Sequence, residues 1–151
     1  MAAEVSGAEA AALVAESAGA RFSAGAAAGA GADVAERPWG TYVHVPYCAS
    51  RCGYCDFNTY TAVELGPGVG RADYPWQVVS EIEAAGRALR PEGRQVSTVF
   101  FGGGTPTLLP AAHLVAILGS IENTFGLTPD AEITTEANPD SVDAGYLAQL
   151  H

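Results

Sequence analysis

Thr41-Tyr42-Val43-His44-Val45-Pro46-Tyr47-Cys48-Ala49-Ser50-Arg51-Cys52-Gly53-Tyr54-Cys55 runs from a β-branched, aromatic segment straight into a loop that holds every cysteine of the chain. Thr41 to Val45 has the composition of a strand. The thiols that follow are spaced Cys-x3-Cys-x2-Cys. Thiolates at that spacing can each hold one iron of a cubane cluster and leave the fourth iron without a protein ligand, open to chemistry. Gly53 relaxes the backbone between the second and third thiol. Arg51 sets a positive charge beside them, which favours the thiolate form.

Two other readings of the cysteines compete. A disulfide would leave one cysteine over, and no secretory signal points to an oxidising compartment. A structural zinc site with His44 as fourth ligand would read His-x3-Cys-x3-Cys-x2-Cys, which lacks the paired knuckles of ordinary zinc modules. The cluster is the stronger reading.

Outward from this loop, strand and helix patterns alternate. A polar stretch around Gly66-Pro67-Gly68-Val69-Gly70 leads to Asp73, an N-cap for a helix with Val78, Ile82, Ala85 and Leu89 on one stripe, ended by Pro91 and Gly93. Val96 to Phe101 is a second strand and delivers into Gly102-Gly103-Gly104. Pro110 opens a second helix, with Leu114, Ile117, Leu118, Ile121 and Phe125 along its buried face and Gly126 closing it. Ala131 to Ala137 is a third strand, Asn138-Pro139-Asp140 turns the chain, and Val142, Leu147 and Leu150 open a third helix. The pattern predicts an α/β fold of parallel strands with right-handed helical crossovers. In barrels of this kind active groups sit at the C-terminal ends of strands. The cysteine loop, the glycine run and Glu136 all fall there.

Composition narrows the function. The 151 residues carry a formal net charge of -10, and all seven basic residues are arginines. Without lysine or a basic stripe the chain offers no nucleic-acid surface, and no Gly-x4-Gly-Lys phosphate loop can form. No apolar run approaches the ~20 residues that cross a bilayer, so a cytoplasmic protein is expected. Residues 1–37 are dominated by alanine and glycine, lack the charged start of a secretory signal, and read as a flexible, disordered leader to a domain over 38–151.

Three motifs in order resemble the radical S-adenosylmethionine (radical SAM) superfamily, in the branch of oxygen-independent coproporphyrinogen III oxidases and HemW-type haem chaperones. They are Tyr42 to Cys48 with Cys52 to Asn58, then Phe100-Phe101-Gly102-Gly103-Gly104-Thr105-Pro106-Thr107, then Glu132-Ile133-Thr134-Thr135-Glu136-Ala137-Asn138-Pro139. The resemblance covers about Trp39 to the end and implies the N-terminal part of a partial (β/α)6 radical SAM barrel. It implies that Cys48, Cys52 and Cys55 bind a 4Fe-4S cluster whose open iron takes the amine and carboxylate of S-adenosylmethionine. Electron transfer from the cluster would then give methionine and a 5′-deoxyadenosyl radical. Gly103, Gly104, Thr105 and Glu136 would contact S-adenosylmethionine, and Tyr42 and Tyr54 would line its site. The glycines let backbone approach closely and are expected to offer N–H donors. His44 shares a strand face with Tyr42 and reads as a satisfied core histidine.

One departure separates the branch members. The coproporphyrinogen oxidases usually carry a further cysteine two residues after the third, whereas this chain has Cys55-Asp56-Phe57. That favours a HemW-like haem chaperone over oxidative decarboxylation of coproporphyrinogen III. The partners implied are an electron donor and a haem-accepting protein, with the haem site expected outside these residues. Family members continue through more barrel and a further domain, so the chain reads as a fragment of a longer protein. An inactive truncated product is the remaining alternative.

Overall fold

A computed structural model of the chain describes residues 38–61, 64, 70–89 and 93–151. The expected leader over 1–37, most of the Gly66–Gly70 stretch and Pro91 lie outside those residues. The elements run β1 (Trp39–Val45), β2 (Tyr47–Cys48), β3 (Tyr60–Thr61), α1 (Tyr74–Leu89), β4 (Val96–Gly103), α2 (Ala111–Phe125), β5 (Leu127–Thr135) and α3 (Ala144–Leu150), with 3-10 turns at Pro106–Leu108 and Pro139–Ser141. Strands β1, β4 and β5 form one parallel sheet in that order, and β2 pairs with β3 in a second, two-stranded parallel ladder. The α/β alternation with helical crossovers is as the sequence predicts. Among the described residues no helix is long and apolar enough to cross a membrane.

Register divides the main sheet into two faces. Tyr42 lies beside Phe100 and Phe100 beside Thr134, while Val43 lies beside Phe101 and Phe101 beside Thr135. Side chains alternate along a strand, so Val43, Val45, Val99 and Phe101 share one face and Tyr42, His44, Phe100 and Thr134 the other. The first face is buried, and its residues join Ile82 of α1 and Leu114, Ile117 and Ile121 of α2 in one apolar core. The second face keeps Tyr42 and Phe100 exposed. It carries the polar groups toward the site.

Three elements depart from expectation. β5 starts at Leu127, four residues early, because Gly126 with φ 74° turns the chain at the end of α2 and its carbonyl accepts the Val96 N–H at 3.0 Å. The step from Leu127 to Glu132 in β5 faces only Val96 to Thr98 in β4, so an irregularity absorbs Pro129 and Asp130, two residues that resist regular pairing. The strand ends at Thr135, one residue short of Glu136. In α1 the first turn buries Tyr74 and Pro75, while Leu89, expected on the buried stripe, is exposed in the last turn. α3 begins at Ala144, capped by the Asp143 carboxylate, which accepts the Tyr146 N–H at 2.7 Å; Val142 precedes it in extended backbone and Leu147 is exposed. The other two expected helix starts hold: the Asp73 carbonyl accepts the Trp76 and Gln77 N–H groups at 3.2 and 3.3 Å, and Pro110 stands at the N-cap of α2.

Candidate functional site

The cysteine loop is tied at both ends by the short ladder. Tyr47 pairs with Tyr60 and Cys48 with Thr61, and the Tyr60 N–H donates to the Pro46 carbonyl at 2.7 Å. Inside it, the Cys55 N–H donates to the Cys52 carbonyl at 3.1 Å, folding Cys52 to Cys55 into a tight turn. Gly53 takes no positive φ there and a methyl group on it would touch nothing, so the turn does not need glycine. Thr59 is buried at the loop's far end.

Arg51 reaches across the loop. Its guanidinium donates to the Glu64 carboxylate at 2.8 Å and to the Thr59 carbonyl at 3.2 Å. The other Glu64 oxygen accepts the Thr61 N–H at 2.7 Å and the Thr61 hydroxyl at 2.9 Å. The Thr61 backbone N–H, then its hydroxyl, with Arg51 adding to both, hold the Glu64 carboxyl below the usual carboxylate range. Sequence reading missed Glu64 because nothing in its spacing ties it to the cysteines. The group is a clasp across the loop.

The glycine run approaches the cysteine loop where only glycine fits. A methyl group on Gly104 would collide with the Tyr47 carbonyl and stand 3.0 Å from the Cys48 sulfur. Gly103 has φ 112°, a conformation that L side chains rarely adopt, and abuts the His44 ring. The expected N–H donors, however, are already committed. The Gly103 N–H donates to Glu136 Oε2 at 3.0 Å, the Gly104 N–H to the Val45 carbonyl at 2.8 Å, and the Thr105 N–H to the Tyr47 carbonyl at 2.7 Å. These bonds hold the glycine run against β1, β2 and Glu136; they leave close backbone approach as its contribution to a ligand.

Glu136 lies just past β5, its N–H on the Phe101 carbonyl at 2.9 Å. On the same sheet face, Tyr42 stacks on Phe100 with ring centroids 6.0 Å apart. Its hydroxyl meets His44 Nδ1 at 2.9 Å, and His44 Nε2 meets the Asn58 carbonyl at 2.9 Å. A carbonyl only accepts, so Nε2 carries the proton and Nδ1 accepts from Tyr42. Both ring nitrogens of His44 are thus engaged, which removes it as a fourth zinc ligand; it is satisfied as expected, but half-buried on the sheet face away from the core and not a core histidine. Burial, and then the Glu136 carboxylate, push the Tyr42 hydroxyl pKa up.

One cavity of about 770 Å³ gathers most of these residues. Its lining brings Cys48, Cys52, Tyr54 and Cys55 together with Gly103, Gly104, Thr105 and Glu136. Tyr42 does not line it: the ring is held away by Phe100 and His44. Phe57 and Asn138 do line it and were not among the expected contacts. Asn138 could have been suspected from its place after the third strand. The volume is that of an ordinary small-molecule site.

All three cysteines are free thiols. Among the described residues, no group of three His, Cys, Asp or Glu side chains is gathered tightly enough for a single metal ion. Three thiolates with no fourth protein donor are the donor set of a cubane with one open iron. The donor set therefore fits a cluster better than zinc, in a cavity with room beside the thiols for a second ligand.

Comparison with known proteins agrees. The family model described as the radical SAM superfamily matches residues 42–151. The heme chaperone HemW of Mycobacterium tuberculosis is 45% identical over 114 residues, 76% of this chain and 28% of that protein. HemW of Escherichia coli is 37% identical, covering 71% of this chain and 27% of its own length. The bovine mitochondrial radical S-adenosyl methionine domain-containing protein 1 is 42% identical, over 71% of this chain and 23% of that one. Among solved structures, coproporphyrinogen III oxidase (HemN) from Escherichia coli, described as a radical SAM enzyme, superposes with a TM-score of 0.63 at 33% identity, covering 77% of this chain and 26% of that one. The chain spans about a quarter of the length of these relatives.

Proposed function

The chain belongs to the radical SAM superfamily, and from that premise we propose that it supplies the cluster- and S-adenosylmethionine-binding part of a HemW-like haem chaperone. The observation that carries this reading is one cavity whose lining holds the three thiols together with the glycine run and Glu136. Cys48, Cys52 and Cys55 would hold the 4Fe-4S cluster. Gly103 and Gly104 admit backbone-close approach of S-adenosylmethionine, Glu136 offers it a carboxylate, and Tyr54 an exposed aromatic face. When bound, the cluster supplies an electron to S-adenosylmethionine and with it radical chemistry. The chain's own residues orient the ligand and fix the walls around it.

Phe57 favours the chaperone reading. It lines the cavity at the position where the coproporphyrinogen oxidases resembled here carry a further cysteine. The superposition with HemN supports a second reading, oxidative decarboxylation of coproporphyrinogen III. Haem acceptance would involve a haem-receiving protein, and reduction of the cluster an electron donor; free thiols suit a reducing compartment such as the cytoplasm.

The test is anaerobic reconstitution with iron and sulfide, followed by EPR of the reduced protein with and without S-adenosylmethionine. A cubane signal that shifts when S-adenosylmethionine is added is the expected result. Tightly bound zinc, or no metal, would remove the reading. Haem binding without turnover of coproporphyrinogen III separates the chaperone from the oxidase.

A further inference from the structure

Thr107 is buried, yet it is a hydroxyl in the turn behind the glycine run and no role in the cofactor site accounts for it. Its bonds determine one another. The Ser141 hydroxyl donates to the Asn138 carbonyl at 2.7 Å, which uses its only proton. The 2.5 Å contact between the Thr107 and Ser141 hydroxyls must then run from Thr107 to Ser141. The Thr107 oxygen is left to accept, and it takes the Asn138 N–H at 3.4 Å. The result is a closed ring: Asn138 N–H to Thr107, Thr107 to Ser141, Ser141 back to the Asn138 carbonyl. The Asp140 N–H, donating to Asn138 Oδ1 at 2.9 Å, braces it.

This ring joins two segments of the cavity lining. Thr107 stands two residues after Thr105, on the glycine side, and Asn138 two residues after Glu136, on the β5 side; Thr105, Glu136 and Asn138 all line the cavity. Glu136 itself is anchored by its N–H to Phe101 and by its carboxylate to the Gly103 N–H. Beyond it, Asn138 is tied to the glycine side through the ring. The geometry points to Thr107 as a positioning residue, which ties the Glu136–Asn138 segment to the turn that follows Gly103–Thr105 and so fixes how both segments meet the ligand. This rests on the cavity being the S-adenosylmethionine site.

Two substitutions in the reconstituted protein test it. Thr107→Val keeps the shape of this buried residue and deletes the ring's donor and acceptor, so the Ser141 hydroxyl and the Asn138 N–H lose that partner. S-adenosylmethionine affinity, read by titration of the EPR shift, should weaken about tenfold, about 1.4 kcal/mol, with iron per chain unchanged. Thr107→Ser restores the hydroxyl and should restore affinity. In protein without S-adenosylmethionine, hydrogen exchange over residues 136–142 should quicken in Thr107→Val alone. Unchanged affinity in Thr107→Val would overturn the proposal, and so would equal losses in both variants or a loss of iron, which would make Thr107 a stability residue. If the unsubstituted protein binds no S-adenosylmethionine while exchange still responds to Thr107→Val, the site assignment fails and the ring stands as a purely structural tie.

Discussion

Gly104 shows how much a missing side chain can decide. The Tyr47 carbonyl and the Cys48 sulfur both lie where its Cβ would be. In Gly104→Ala either the glycine run or the first cysteine must move, and overpacking of this kind costs about 1–3 kcal/mol. We expect lower iron per chain after reconstitution and a reduced melting temperature, whereas Gly53→Ala, with open space around it, should change neither. The identities of these residues were readable in advance, because cysteine spacing and a glycine run after a strand are chemical signals. Their partners were not. That the Gly103, Gly104 and Thr105 amides would serve the fold, and that Arg51 would turn to Glu64, depends on contacts between segments far apart in the chain, about which local pattern is silent.

The cysteine loop and its clasp behave as one element. Glu64 accepts from Thr61 twice and from Arg51 once, so Glu64→Ala removes the acceptor for all of them. Hydrogen exchange across residues 49–59 should then quicken at neutral pH. Because the folded-state Glu64 pKa is depressed, the clasp is present above the ordinary value of about 4.3 and is lost as pH falls through the folded value. The unsubstituted protein should therefore show the same quickening only on acidification, and none at any pH would exclude the clasp. Strands and helices with clean periodicity, such as β1 and α2, were legible; β5 and α3 were less so. Pro129 and Asp130 disguised the first half of β5, and a helix of seven residues such as α3 leans on its Asp143 cap more than on an apolar stripe.

Stability of the folded chain carries a tyrosine signature. The Tyr74 hydroxyl, at the start of α1, donates to the His44 carbonyl of β1 at 2.6 Å, joining helix layer to sheet. Burial first, then the nearby Tyr47, Glu81 and Tyr42, push its pKa well up. The neutral form is thus the one the fold favours. Its contribution is intact below the unfolded value of about 10 and is lost as pH rises through the folded value. Urea midpoints should fall on the alkaline side, and Tyr74→Phe should be about 1 kcal/mol less stable at neutral pH but decline less steeply above pH ~10. An equally steep decline would contradict this. The parallel α/β architecture was foreseeable, since alternation of strand and helix leaves few alternatives. Which sheet face is dry was less so: β1 alternates apolar and polar residues cleanly, but only the register with β4 and β5 sets Tyr42, Phe100 and Thr134 side by side.

The β2–β3 ladder has a consequence for how the thiols meet iron. Bringing the ends of a flexible segment together has an entropic cost that grows with its length. Here Cys48 pairs with Thr61 in the folded chain itself, so that cost is met during folding and not on metal capture. On the proposed cluster reading, iron affinity is thereby linked to the stability of two backbone pairs that include only one of the three thiols. Loosening Tyr60 or Thr61 would weaken metal capture from a distance, while leaving every thiol in place.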